Sequence, residues 1–189
     1  MISGLSRSPR FLVLLGLLTN FTSVQAAVVN FTGAFAPSNW TSTPAGDSSL
    51  SHSSTTLTLV GPNNGGGDNT ARVSLTLAQG GDVQFHYSGS TADTDGWEYD
   101  SLGYDVNGSS TQLSPNSGYS SVSGTINLTL NPGDTLRFYV NSVDSGAGAA
   151  TLTIDTFSFT AVPEPAEISA LAAAGLLGFV AWRRLQRQG

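Results

Sequence analysis

The chain has no cysteine and no lysine, only two histidines, and charged residues at 11% of its 189 positions. Each scarcity excludes something. Without cysteine there is no disulfide framework, no thiolate metal centre and no cysteine nucleophile. No apolar run reaches the roughly 20 residues of a permanent membrane span. The formal charge of −6 is unevenly spread. Five of seven arginines lie near the ends (Arg7, Arg10, Arg183, Arg184, Arg187), whereas positions 27–162 hold Arg72 and Arg137 against eleven acids, a net of −9. A body that acidic repels phosphate backbones, which excludes nucleic acid as a natural partner.

The basic ends flank apolar segments. Arg7 and Arg10 precede the apolar run 11–18, and a polar stretch then ends in Val24-Gln25-Ala26. This order of basic region, short apolar run and small residues predicts a signal peptide over 1–26, cleaved after Ala26. At the other end, Val162-Pro163-Glu164-Pro165 breaks any strand, because proline fixes φ and lacks an amide donor. The Ala- and Leu-rich stretch 168–182 then favours helix. At about 1.5 Å per residue it covers about 22 Å, short of the ~30 Å hydrocarbon core. Arg183 and Arg184 follow as a cationic stop on the cytoplasmic side.

Pro-Glu-Pro, a short apolar helix and an arginine cluster, in that order, resemble the PEP-CTERM sorting signal of Gram-negative bacteria. The resemblance covers 162–189. It implies recognition of Val162, Pro163, Glu164 and Pro165 by an exosortase, an integral-membrane processing enzyme. The segment 168–182 would be a short transmembrane helix and Arg183-Arg184 its stop, with delivery to the cell surface or exopolysaccharide matrix. Glu167 departs mildly from the pattern by adding a charge before the helix.

Between these segments, apolar residues alternate with period two and turn residues punctuate them. Leu57 and Leu59, then Val73, Leu75 and Leu77, then Val83, Phe85 and Tyr87 share faces. Ile126, Leu128 and Leu130 do the same, as do Leu136, Phe138 and Val140. Near 150–160, Leu152 and Ile154 are out of phase with Phe157 and Phe159, which predicts a one-residue bulge near Asp155-Thr156. Turn clusters such as Gly80-Gly81, Asn107-Gly108 and Pro132-Gly133 separate the runs. The expected fold is all-β: a single antiparallel, jelly-roll-like β-sandwich over 27–161. The order of segments from Val83 to Phe157 also resembles a CUB-like jelly roll, without that family's cysteines.

Asp93, Asp95, Glu98, Asp100 and Asp105 crowd into thirteen residues with no basic neighbour. Hard cations such as calcium take carboxylate and carbonyl oxygens, and Asp144 completes a site if its loop lies at the same end of the sandwich. The CUB-like resemblance implies calcium on Asp95, Asp100 and Asp144. The competing reading is a solvated loop whose aspartates cap turns. Trp97 and Tyr99, two apart on an extended segment, would share a face and form a platform for sugars; buried in the core is the alternative for them, as for Tyr104 and Tyr119. His52 and His86 carry no nucleophile motif, and Glu98 and Asp100 are a thin basis for glycoside hydrolysis. The sequence therefore predicts no enzyme. It predicts an exported surface or matrix protein associated with exopolysaccharide, with a calcium-dependent carbohydrate-binding module or adhesin as first rival and a small secreted polysaccharide hydrolase as second.

Overall fold

Alternation of apolar and hydroxyl-bearing residues builds eleven strands among the residues that the computed structural model describes, 27–162 and 165–187. The expected signal peptide at 1–26, and Pro163 and Glu164, lie outside them. The strands are β1 (Ala27–Val29), β2 (Thr41–Thr43), β3 (Ser49–His52), β4 (Leu57–Val60), β5 (Asn69–Thr76), β6 (Gly81–Thr91), β7 (Asp100–Val106), β8 (Ser109–Gln112), β9 (Val122–Leu130), β10 (Thr135–Ser142) and β11 (Ala150–Ala161). One sheet runs β3-β4-β11-β6-β9, with β1 also pairing to β11; the other runs β2-β5-β10-β7-β8. Every pairing is antiparallel.

The two sheets close on one core, because each strand turns its apolar phase inward. Leu57, Val73, Phe85, Leu102, Leu136, Phe138, Val140, Leu152 and Ile154 are all fully buried. In β11 the register against β6 slips between Asp155 and Ser158, and Thr156 takes a φ of 48°. That bulge returns Phe157 and Phe159 to the inner face, where Phe157 stacks on Phe31 at 5.0 Å and packs against Phe35 at 5.0 Å. The phase break in the sequence therefore has the expected resolution.

Two regions are more ordered than the sequence pattern indicates. The Ser-rich stretch before Leu57 contributes two short strands, β2 and β3. The acidic segment 100–106 is strand β7, joined to β8 by Asn107-Gly108, whose positive φ values of 55° and 87° suit a tight hairpin. Residues Gly96–Glu98, by contrast, form a 3₁₀ turn rather than a strand.

After the sandwich, helix α1 spans Pro165–Gln186 and makes no extensive contact with any strand among the described residues. It contains the stretch 168–182, so the helix is present. Among the described residues, however, no helix is long and apolar enough to cross a membrane. The physical reason is the one visible in the sequence: the apolar stretch is short and is bounded by Glu167 and Arg183.

His52 is the odd member of the core. It ends β3 with its ring edge-on to Phe31 at 4.6 Å and to Trp40 at 5.7 Å. Both ring nitrogens are buried without a hydrogen-bond partner. Burial lowers its pKa from the ordinary value, so it packs as a neutral aromatic. The unfolded chain then takes up a proton that the folded one refuses as pH falls below about 6.5. Stability is predicted to decline from that pH down toward the lowered native pKa, and His52→Phe should flatten this decline. Denaturant midpoints for parent and variant between pH 7.5 and 5 check it; parallel curves would remove His52 as the cause.

Candidate functional site

Each sheet also has an outward phase, and the two differ in chemistry. On the six-stranded sheet, β6 presents Asp82, Gln84, His86, Ser88 and Ser90 toward solvent between β9 and β11. These side chains largely satisfy one another. Gln84 Nε2 donates to Asn127 Oδ1 at 2.7 Å, the Thr129 hydroxyl donates to Asp82 Oδ1 at 2.7 Å, and His86 Nδ1 lies 2.8 Å from Asp155 Oδ1. The result is a polar face with two open depressions, one bordered by Ser88, Ser90, Ser123 and Thr153 and the other by Asp82, Gln84, Asn127 and Thr129, and His86 is the one outward ring on β6.

The outer face of the five-stranded sheet is a groove lined by Thr70, Arg72, Asp105, Arg137, Tyr139 and Asn141, among others. It gathers both arginines of positions 27–162. Register explains the grouping, since Tyr139 of β10 stands between Arg72 of β5 and Gly103 of β7, and Arg137 stands opposite Asp105. Asp105 is buried; Oδ1 accepts the Gly108 amide at 3.1 Å, closing the β7–β8 hairpin, and Oδ2 faces Arg137 Nη1 at 3.3 Å. Arg72 makes no ion pair among the described residues. Burial raises the Tyr139 pKa and the Asp105 charge adds to it, so the phenol keeps its proton and remains a donor. Asn141, with its amide nitrogen toward β5, donates to Asn69 O at 3.2 Å and Asp68 Oδ1 at 3.1 Å. A half-buried ring, two guanidinium groups and fixed acceptors therefore line one open trough.

The second cluster lies at one end of the sandwich. The loops after β6 and β10 are tied together: Ala92 N donates to Ala149 O at 3.1 Å and Thr94 N to Ala147 O at 3.2 Å. Val143 N donates to Tyr99 O at 2.8 Å. A Cβ on Gly148 would lie 2.1 Å from Ala92 O, so only glycine permits this approach. Asp93 and Asp100 are buried here, 2% and 1% exposed. The Thr91 hydroxyl donates to Asp100 Oδ2 at 2.7 Å and accepts the Asp93 amide at 2.9 Å. Burial pushes the Asp100 carboxyl above the ordinary carboxylate range; the Thr91 and Ser142 hydroxyls oppose this, while the charges of Asp93 and Asp144 reinforce it.

The expected site residues separate accordingly. Asp100 feels the charge of Asp144 across the two loops, whereas Asp95 points to solvent. It is exposed, and its backbone amide serves Asp93 Oδ1 at 2.6 Å, so Asp93 is the inward carboxylate of that loop. Among the described residues no three carboxylate or imidazole groups form a metal centre by themselves. The platform of Trp97 and Tyr99 is corrected. Because Gly96–Glu98 is a turn, the two do not share a strand face. Trp97 is 2% exposed with its indole donating to Ser120 O at 2.9 Å, whereas Tyr99 is 37% exposed. Glu98 and Asp100 border one small depression together with Trp97 and Tyr99, but only Glu98 is exposed, so the pair does not present two solvent-reachable carboxylates. Of the tail motif, Val162 is exposed, Pro165 begins α1, and Arg183 and Arg184 lie in its last turn.

No protein-family model and no curated protein matches the chain. Among solved structures, the N-terminal cellulose-binding domain of Cellulomonas fimi β-1,4-glucanase C aligns at 16% identity and a TM-score of 0.36, covering 68% of this chain and 91% of that one. The CBM22-1 xylan-binding domain of Paenibacillus barcinonensis Xyn10C aligns at 18% identity and 0.39, covering 75% and 99%. A family 29 carbohydrate-binding module complexed with mannohexaose aligns at 13% identity and 0.40, covering 72% and 92%. At these identities and scores, no residue role and no ligand is carried over from them.

Tyr139 is positioned by the missing side chain opposite it. A Cβ on Gly103 would meet Tyr139 Oη at 2.6 Å and the Thr111 carbonyl oxygen at 2.2 Å. Gly103→Ala is expected to cost about 1–3 kcal/mol through overpacking, seen as a lower denaturant midpoint. An unchanged midpoint would mean that the ring and the β8 backbone yield freely.

Proposed function

We propose that this is an exported, non-catalytic matrix or surface protein whose sandwich holds polysaccharide along the outer groove of the five-stranded sheet. The observation that carries this reading is the convergence of Arg72, Arg137, Tyr139, Asp105 and Asn141 in one open trough on an otherwise acidic body. Sugar polymers offer apolar ring faces and dense hydroxyls. Their ring faces suit a half-buried tyrosine, and their hydroxyls suit charged donors and acceptors in fixed positions. An open groove accommodates a chain passing through, whereas small ligands favour enclosed pockets. The groove has no pair of solvent-reachable carboxylates to support hydrolysis.

The tail belongs to the same proposal. Residues 162–189 act as a PEP-CTERM-type sorting signal, handed to an exosortase-type enzyme and leaving a processed body at the surface or in the matrix. Support comes from the order of residues and from α1, whose described side chains Leu176, Leu177, Phe179 and Val180 are exposed apolar groups without a protein partner surface. In this reading the helix engages the membrane only before processing.

Two experiments test the two halves. In gels cast with xylan, galactomannan, mixed-linkage β-glucan or alginate, the parent should be retarded by at least one polymer. Tyr139→Ala and Arg72→Ala should each weaken that retention about tenfold, the equivalent of about 1.4 kcal/mol, while Gln84→Ala on the opposite face leaves it intact. Equal retention of all four proteins would place binding elsewhere. For the tail, intact mass of protein recovered from envelope and medium should show a species beginning near Ala27 and ending near Pro163–Pro165. Membrane-held protein that keeps Arg183–Gly189 would defeat the sorting reading.

A further inference from the structure

The groove leaves unexplained the two buried carboxylates at the end of the sandwich. Asp93 Oδ2 and Asp100 Oδ1 are both inaccessible to solvent and both lack a hydrogen-bond partner. Their sister oxygens are engaged: Asp93 Oδ1 accepts the Asp95 amide and Asp100 Oδ2 accepts the Thr91 hydroxyl. Each residue is thus held in place by one oxygen while the other is left bare. Among the described residues neither of them takes part in an ion pair. The nearby Ser142 hydroxyl also favours the Asp100 charge, but its hydrogen bond in this structure runs to Asp144 Oδ1 at 3.4 Å. An unpaired buried carboxylate is among the most costly groups a fold can hold, and two that repel each other are worse.

We propose that Asp93 and Asp100 hold a calcium ion between the β6–β7 loop and the β10–β11 loop, with Asp144 adding its charge from the side of the second loop. Two carboxylates neutralise a divalent cation. The remaining places of a six- to eight-oxygen shell are filled by neutral oxygens of the two loops and by water. Calcium suits the site better than magnesium, because irregular loops supply oxygens without octahedral symmetry. Histidine and thiol ligands are absent from the cluster, which disfavours zinc. The second loop is shaped in advance: Ser145 and Ala147 hold positive φ values of 50° and 60°, and the Ser145 hydroxyl anchors on Gly67 O at 2.6 Å. The ion would tie a loop that precedes β7 to one that precedes β11, one from each sheet.

The test uses the full chain stripped with chelator and measures metal uptake and melting, neither of which involves polysaccharide, so its outcome is separate from that of the groove. Calorimetry with calcium chloride should show one ion per chain. Calcium at about 5 mM, above the range usual for extracellular modules, should raise the melting temperature by about 3–5 °C. Asp93→Asn and Asp100→Asn should each abolish that shift, and Asp95→Asn should keep it. If the inward variants fail to fold, calcium uptake by the parent decides. The proposal is overturned by no uptake and no shift, which would leave a shared proton as the answer to the buried pair. It is overturned equally by full shifts in both inward variants, and the choice of calcium by an equal response to magnesium.

Discussion

One slipped residue in β11 governs the rest of the sandwich. Strand β11 pairs with β1, β4 and β6, so it is the strand on which the six-stranded sheet is assembled. Its first half presents Leu152 and Ile154 inward, and a regular strand would then send Phe157 and Phe159 to solvent. The bulge at Asp155–Ser158 resets the phase, at the cost of a left-handed Thr156. Burying a phenylalanine is worth roughly 1.5–3 kcal/mol. Two such rings outweigh the roughly 1–2 kcal/mol of a non-glycine residue in the left-handed region. The aromatic cluster of Phe31, Phe35, Trp40 and Phe157 exists because of that exchange.

With the interior settled by apolar burial, the outward phases are free to carry chemistry, and they do so unequally. The six-stranded sheet spends its polar groups on one another in cross-strand pairs. The five-stranded sheet leaves Arg72 without an ion pair among the described residues, beside a tyrosine that faces a glycine. The same division recurs at the end of the molecule. There Asp95 is exposed to water while Asp93, two residues earlier in the same loop, is buried and adds its charge to that felt by Asp100. Charge in this protein is scarce, and where it is buried it is grouped.

The strand phases were legible because period-two alternation reports which side chains face inward, and even the bulge was visible as a phase conflict between Ile154 and Phe157. Strand β2 was hidden because Thr41-Ser42-Thr43 is exposed throughout and shows no alternation, and β3 because its alternation is carried by only Leu50 and His52. The groove was hidden for a different reason. Arg72, Asp105, Arg137 and Tyr139 come from three strands, and only register brings them together. The signal available was modest: Arg137 and Tyr139 share a phase, and Arg72 and Arg137 are the only basic residues between the ends. Trp97 was misplaced because an i, i+2 pair shares a face only in a strand, and Gly96, at a φ of 75°, starts a turn. Composition likewise cannot tell which aspartate of the Asp93-Thr94-Asp95 loop turns inward; burial shows that it is Asp93.

The position of β11 along the chain has a kinetic consequence. It is the last strand among the described residues, yet it alone joins the β3–β4 pair to the β6–β9 pair and holds β1. Those pairings join residues as far apart as Ala27 and Thr160. Contacts this distant form slowly, because loop closure must be paid before they reward it. Until residues 150–161 are available, the six-stranded sheet has edges but no middle, and the core has only one wall. A chain arranged in this way stays open through most of its synthesis. Closure of its core is therefore the last step of its folding and not the first.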